Sequence, residues 1–238
     1  MVTVRIRYKG LKNETFCSGI VLSKTRILTA ASCLPSKFDK TKHDIFIIRI
    51  SHYDGIFKYN EEEYGYPAKD FIVHEDFGVT GIGRRFVNNL ALIEATGISQ
   101  SAGKIIYKTL EEGDADVRYW EEYAPGYKAI NMFYGGYIII SKNECKDRLF
   151  IQLGEELPEG MLCTMYPSDE LSEYSCRNTG ALIVDKNQEY IFVGLASFNM
   201  DLNEKGRCNV KVPMLFTDLF YYKPWIKKNV PDLNQEWN

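Results

Sequence analysis

Short apolar runs, rich in β-branched residues and bounded by polar residues or by glycine and proline, recur along the whole chain. Runs of this kind are typical of β-strands, and most of them are too short for helices. The sequence shows no internal repeat and no low-complexity segment. The pattern therefore predicts an all-β barrel or sandwich. The predicted strands cover residues 16–22, 26–31, 45–51, 71–74, 90–95, 128–141, 161–165, 180–185, 190–198 and 213–217.

Two segments carry helix signals instead. In the first, Ser141 precedes Glu144 at the capping-box spacing of three residues, which predicts the start of a helix. In the second, within 217–230, apolar residues recur at helical spacing in the second half. Since proline is tolerated only in the first turn, Pro224 indicates that this helix begins near residue 222 or 223.

Composition excludes several classes of protein. The chain has 238 residues, 45% hydrophobic and 26% charged, which is ordinary globular usage and excludes disordered and collagen-like classes. With 29 Lys and Arg against 32 Asp and Glu, the formal net charge is −3, so we expect no nucleic-acid partner. The longest apolar runs, such as 137–140, are far too short to span a bilayer, so we expect no membrane association.

The six cysteines, at positions 17, 33, 145, 163, 176 and 208, include no CxxC pair. This argues against zinc-ribbon and thioredoxin-like motifs and favours three disulfides in an oxidising compartment. We therefore expect a secreted, extracellular protein, and the lack of an apolar leader at the N-terminus then indicates a mature or trimmed form. Asn13 begins the single N-x-S/T sequon, a candidate glycosylation site, although a sequon arising by chance explains it as well.

One stretch resembles a known family closely. Residues 16–22 read FCSGIVL and residues 26–33 read RILTAASC, which resembles the segment around the catalytic histidine of chymotrypsin/trypsin-like proteases. Further segments match that family in the right order over essentially the whole chain. They are NNLALI at 88–93, GMLC at 160–163, SCRNTGALIV at 175–184, VGLASF at 193–198, PMLFT at 213–217 and the pair Trp225 and Ile226.

The resemblance implies an all-β fold of two six-stranded antiparallel β-barrels with a C-terminal α-helix. It also implies three disulfides, Cys17–Cys33, Cys145–Cys163 and Cys176–Cys208. The charged stretch 111–127, with its glycines and a proline, indicates a connector between the barrels. We therefore expect an N-terminal barrel at 1–110, the connector at 111–127, a C-terminal barrel at 128–221, and the helix and tail at 222–238.

All three positions of the catalytic triad differ from the family pattern. Ser32 stands where the family has its histidine, Asn89 where it has the aspartate, and Thr179 where it has the nucleophilic serine. A serine cannot act as a base near neutral pH, an asparagine carries no charge, and the threonine hydroxyl lacks an activating neighbour. Because loss of such a triad costs about 10⁶-fold in kcat, we expect no proteolytic activity.

The loop and pocket around that site also depart from the family. Arg177 and Asn178 form a link one residue shorter than usual and without glycine, which predicts a disrupted oxyanion loop. No IVGG segment occurs, and Asn178 replaces the aspartate that pairs with it in the family. At the specificity pocket, Tyr174 lies at the floor position, with Asn199 and Met214 at the walls, so we expect the pocket to be filled.

These features predict a pseudoprotease that acts by binding proteins through surface loops. The triple substitution and filled pocket are similar to the inactivated serine protease paralogues of parasitic mites, notably the scabies mite, reported as gut-secreted proteins that interfere with host complement. The resemblance implies host plasma proteins, complement components among them, as partners of a monomer. Alternatives are an altered hydrolase using Thr179, a decoy for protease substrates or inhibitors, and an insect-type protease-cascade cofactor.

We expect no cofactor and no metal. The three histidines, His43, His52 and His74, form no compact metal-ligand spacing, and His74 resembles a non-catalytic strand end of the family.

Overall fold

The computed structural model describes residues 2–8, 14–35, 43–48, 57–58, 65–80, 85–98, 104–105, 112–122, 129–165, 180–186, 189–197 and 211–233. In these ranges no helix has the length and apolar character needed to cross a bilayer. The strands are β1 (Val2–Tyr8), β2 (Glu14–Val21), β3 (Arg26–Thr29), β4 (His43–Ile48), β5 (Phe57–Lys58), β6 (Gly65–Val73), β7 (Gly78–Thr80), β8 (Arg85–Val87), β9 (Ala91–Ala95), β10 (Lys104–Ile105), β11 (Gly113–Glu122), β12 (Ala129–Ile140), β13 (Met161–Met165), β14 (Ala181–Lys186), β15 (Glu189–Ala196) and β16 (Met214–Asp218). The helices are α1 (Lys142–Leu153) and α2 (Lys223–Asn229).

Six antiparallel strands close the first barrel in the order β1-β2-β3-β9-β6-β4. Buried isoleucines such as Ile27, Ile45 and Ile93 fill its interior, as expected for β-branched residues on the inner face of a barrel. Strand β1 is not among the predicted strands, although Val2, Val4 and Ile6 alternate with polar residues at the strand period.

The second barrel is a ring of six strands, β11-β12-β13-β16-β15-β14, which the pairing of β15 with β16 closes. Short strands extend it, since β10 pairs with β15 and β5 pairs with β12. Leu182, Val193 and Phe216 lie in its core. The predicted architecture of two six-stranded barrels with a C-terminal helix is thus confirmed.

The stretch predicted as a connector needs a correction. Residues Gly113–Glu122 form β11, which pairs with β12 along its whole length and with β14 at Asp116–Arg118. The charged residues indicated a connector, but this strand is determined by its pairing with neighbouring strands on both sides and not by local hydrophobicity. The division into domains at this stretch stays a prediction.

Both predicted helices are present. Ser141 caps α1 by accepting a hydrogen bond from the Glu144 backbone N–H at 3.1 Å. The helix ends at Gly154, whose φ of 67° is the left-handed conformation that glycine adopts freely. Helix α2 begins at Lys223 with Pro224 in its first turn, as predicted.

The interface between the barrels and the C-terminal helix is a single apolar core. It combines Leu28 and Leu92 of the first barrel with Phe192 of the second and with Trp225 and Ile226 of α2. Two disulfides, Cys17–Cys33 and Cys145–Cys163, are formed as the resemblance implies. The third, Cys176–Cys208, lies outside the described residues.

Candidate functional site

Ser32 lies in a short 3-10 turn, Ala31–Cys33, directly after β3. The turn is fixed at its end because Cys33 is disulfide-bonded to Cys17 and its N–H donates to the Ala30 carbonyl at 3.1 Å. The flanking residues of the turn are buried, whereas Ser32 itself is exposed. The serine hydroxyl therefore stands on a rigid support at the surface of the first barrel.

Asn89, at the start of the segment that enters β9, is completely buried, with 0% of its surface exposed. Its Oδ1 accepts a hydrogen bond from the Ser32 backbone N–H at 2.7 Å. Its Nδ2 donates to the Ser32 Oγ at 3.0 Å and to the Ser197 carbonyl at 3.2 Å. Both amide protons and the amide oxygen are thus engaged, which is what a buried amide requires.

Ser197 carries this contact into the second barrel. It follows β15, its N–H donates to the Leu215 carbonyl at 3.0 Å, and its Oγ donates to the Phe86 carbonyl at 3.2 Å. Ser32, Asn89 and Ser197, which we call the asparagine node, therefore connect the two barrels through neutral hydrogen bonds. No member of the node titrates near neutral pH.

The structure brings together Ser32 and Asn89, two of the three residues that the resemblance places at triad positions. Met214, predicted at the pocket wall, is buried in the core of the second barrel with Tyr137 and Phe216. The predicted filling of the pocket and disruption of the oxyanion loop stay predictions. The other predicted site residues, Asn13, Tyr174, Cys176, Arg177, Asn178, Thr179, Asn199 and Cys208, lie outside the described residues.

A second cluster, which is not predicted from the sequence, lies beside the node. Asn88 adopts a positive φ of 51°, a conformation that asparagine tolerates. Its Nδ2 donates to the Asp76 carbonyl at 2.9 Å, and its Oδ1 accepts from the Tyr222 hydroxyl at 2.8 Å. His74 stacks on Trp225 with ring centroids 5.1 Å apart and meets Tyr222 edge-on at 5.5 Å. We call His74, Asn88, Tyr222 and Trp225 the aromatic clamp, which joins the N-terminal half of the chain to the start of α2.

The Glu75 carboxylate binds to the exposed side of the aromatic clamp. The Trp225 indole N–H donates to Glu75 Oε2 at 2.7 Å, and Lys228 Nζ lies 3.8 Å from Glu75 Oε1. A backbone N–H and the Trp225 indole lower the pKa of Glu75, so its carboxylate stays ionised as an acceptor. Burial, with a smaller effect of Tyr221, raises the pKa of Tyr222 to about 12, so its hydroxyl remains a donor at neutral pH.

The described residues offer no group of three or more His, Cys, Asp or Glu side chains able to hold a metal ion. The side chains of the node itself are one amide and two hydroxyls. Such groups hold a structure together, and they provide no proton acceptor for a neighbouring hydroxyl near neutral pH.

The two closed barrels and the C-terminal helix define a chymotrypsin-like protein. The family model described as Trypsin matches residues 1–226, and the chain belongs to the trypsin family. Its structure is similar to that of kallikrein-related peptidase 10 in complex with Zn²⁺, with a TM-score of 0.63 and 17% sequence identity over 96% of this chain and 95% of that one. This likeness shows the fold.

Among curated proteins, tissue-type plasminogen activator of Pongo abelii is 24% identical over 245 residues. The match covers 94% of this chain and 41% of that protein, so the chain spans less than half the length of this relative.

Proposed function

We propose that this member of the trypsin family is proteolytically inactive and acts by binding other proteins. The observation that carries the proposal is the asparagine node. In it, a buried amide satisfies its hydrogen bonds on a serine and a backbone carbonyl, at the positions where the family resemblance places the catalytic aspartate and histidine.

The node leaves a hydroxyl nucleophile without a base. The Ser32 hydroxyl cannot remove a proton near neutral pH, and neutral Asn89 cannot stabilise a cation beside it. The proposed inactivity is also supported by Thr179, which replaces the family serine, and by Arg177 and Asn178 in the shortened loop. The proposal includes a specificity pocket filled by Tyr174, Asn199 and Met214.

Binding is the function that such a scaffold retains. The barrels and disulfides form without the triad, and a disulfide that closes a loop like Cys17–Cys33 stabilises the fold by about 3 kcal/mol regardless of activity. By resemblance to the mite paralogues, we propose a secreted monomer that binds host plasma proteins and inhibits complement. The cysteine content and the two disulfides formed fit an extracellular location.

Two assays test the two parts of this proposal. The first measures hydrolysis of small peptide esters and of denatured protein by the purified chain, with active trypsin as the positive control. No turnover above the buffer rate is expected, and steady turnover that tracks the protein through purification contradicts the proposed inactivity.

The second assay measures complement-dependent haemolysis in plasma at increasing concentrations of the chain. Dose-dependent protection of the erythrocytes is expected at micromolar protein. Heat-unfolded chain serves as the control. Full haemolysis at every concentration contradicts the proposed complement inhibition. It does not bear on the proposed proteolytic inactivity, which only the first assay tests.

A further inference from the structure

Two large apolar side chains lie exposed next to each other at the end of α1. Phe150 is 68% exposed and Ile151 is 74% exposed, the highest values among the large hydrophobic side chains in the described ranges. The buried side of α1 is formed by Cys145 and Leu149. At about 100° per residue, Phe150 and Ile151 lie roughly 100° and 200° around the helix from Leu149, so the fold's own core does not use them.

The helix that carries this pair is firmly held. The Cys145–Cys163 disulfide ties it to β13, Ser141 caps its start, and the Gly154 N–H donates to the Phe150 carbonyl at 2.8 Å at its end. A rigid aromatic side chain presented on a fixed helix loses little conformational entropy on binding. Such side chains are the usual anchors of protein interfaces.

The surroundings of the pair are acidic on the side of the helix C-terminus. The last turn of α1 holds no basic residue, and the partial negative charge of its carbonyls is followed by Glu155, Glu156 and Glu159. One turn earlier the charges offset each other, since Arg148 is engaged with Glu144 at 2.7 Å and exposed Lys146 is followed by exposed Asp147. Glu159 also accepts the Tyr221 hydroxyl at 3.0 Å, which leaves it negatively charged. The field at the pair therefore favours a positively charged partner and disfavours an anionic lipid surface.

We propose that Phe150 and Ile151, together with the acidic segment 154–159, form the anchor through which this protein binds a basic segment of a partner protein whose apolar side chains cover the pair. We call this surface the α1 anchor. The proposal deepens the proposed binding function and rests on it. A second copy of the chain is the weaker occupant, because a two-fold contact at this surface would set the two acidic segments against each other.

The test uses two fluorescent amphipathic peptides that share one pattern of leucine and phenylalanine and differ only in their polar positions, lysine in one and glutamate in the other. Fluorescence anisotropy with the full chain measures the affinity for each. The lysine peptide is expected to bind, and its affinity is expected to fall as salt screens the acidic segment. The glutamate peptide is expected to bind at least about tenfold more weakly.

Variants assign the binding to the α1 anchor. Phe150→Ser with Ile151→Ser is expected to weaken the lysine peptide about tenfold, and Glu155→Gln with Glu156→Gln about threefold with a smaller salt effect. Val79→Ser removes another exposed apolar side chain, 55% exposed, and is expected to change nothing. Thermal unfolding checks that the Phe150/Ile151 variant is folded, as expected for exposed positions.

Several results overturn the proposal. The first three are no binding of the lysine peptide, equal binding of the two peptides, and unchanged binding of the lysine peptide by F150S/I151S. The fourth is a wild-type dimer in sedimentation velocity that F150S/I151S abolishes, because a second copy would then be the occupant.

The haemolysis assay separates this proposal from the proposed function. If the wild type protects erythrocytes and folded F150S/I151S protects them equally, the α1 anchor fails and complement inhibition stands. If the lysine peptide binds through Phe150 and Ile151 but the wild type does not protect erythrocytes, the α1 anchor stands and complement inhibition fails.

Discussion

Two adjacent asparagines serve two different contacts between the first barrel and the rest of the chain. Asn88 contributes to the aromatic clamp, where its amide meets the Tyr222 hydroxyl beside stacked His74 and Trp225. Asn89 forms the asparagine node, where its amide meets Ser32 and the Ser197 carbonyl without any aromatic or charged partner.

The two contacts differ in the interactions that stabilise them. The aromatic clamp combines apolar burial with hydrogen bonds and an ionised Glu75, so packing carries most of its stabilisation. The asparagine node is a small set of neutral hydrogen bonds at the place where the family resemblance expects acid–base groups. The clamp joins the N-terminal half to the region of α2, and the node joins it to the second barrel through neutral amide and hydroxyl groups.

The largest effect is expected from removing packing in the aromatic clamp. Trp225→Ala deletes a side chain that is only 8% exposed, together with its stacking on His74 and its hydrogen bond to Glu75. We expect the free energy of unfolding to fall by about 3–5 kcal/mol. Equilibrium denaturation in urea measures it, and a loss under about 1 kcal/mol contradicts the view that packing dominates the clamp.

The next effect distinguishes the two asparagines by one chemical change. In the wild type, the Asn89 Nδ2 donates to the Ser197 carbonyl at 3.2 Å in a fully buried site. Asn89→Asp replaces that donor with a carboxylate oxygen, which repels the carbonyl oxygen. We expect a loss of about 3 kcal/mol in the free energy of unfolding.

Asn88→Asp is the matched control. It keeps an acceptor for the Tyr222 hydroxyl, and the carboxylate oxygen that replaces Nδ2 meets the Asp76 carbonyl at an exposed contact where water screens it. We therefore expect a loss below about 1 kcal/mol. Equal losses for the two variants in the same urea titration contradict the distinction between node and clamp.

A smaller effect is expected from the hydroxyl that joins the clamp to Asn88. Tyr222→Phe removes the 2.8 Å hydrogen bond and leaves the aromatic ring in place. We expect a loss of about 1 kcal/mol, because the ring packing is retained and one partly buried acceptor loses its donor. Thermal unfolding followed by circular dichroism measures it, and a loss as large as that of Trp225→Ala contradicts the leading role of packing.

The smallest effect concerns pH. Asp218 is almost fully buried just before the clamp and accepts the backbone N–H of Phe220 at 3.0 Å. Burial raises its pKa above the ordinary value of 3.8. Its contribution to stability is therefore largest below pH 3.8 and declines as pH rises through the folded-state pKa.

An amide at this position does not titrate. Asp218→Asn should consequently gain stability relative to the wild type as pH rises from below 3.8 toward neutral. Urea midpoints over that range measure the difference. Asn89→Ala, at the neutral node, is the control and should differ from the wild type by a constant amount. A difference for Asp218→Asn that does not change with pH contradicts the prediction.

The sequence predicts much of this architecture because its signals are local. The Ser141 cap, the position of Pro224 and the short β-branched runs each determine structure within a few residues, and the family motifs place the two described disulfides. Strand β11 was missed because its pairing with β12 and β14 is a long-range property.

The same reasoning applies to the site. The residue types at positions 32 and 89 are read directly from the sequence and carry the prediction of inactivity. The hydrogen bonds that join them to Ser197 depend on contacts more than 100 positions apart. The aromatic clamp was missed for this reason too. Its residues, His74, Asn88, Tyr222 and Trp225, carry no joint motif in the sequence.

The most direct test of the central claim asks whether any hydroxyl of the folded chain is an activated nucleophile. The chain is incubated with a fluorophosphonate in large excess, beside active trypsin, and each protein is weighed by intact mass spectrometry. Trypsin should be fully labelled, and this chain should keep its unmodified mass. Stoichiometric labelling that maps to Thr179, and that is lost in Thr179→Val, would contradict the proposal that the protein binds rather than cleaves.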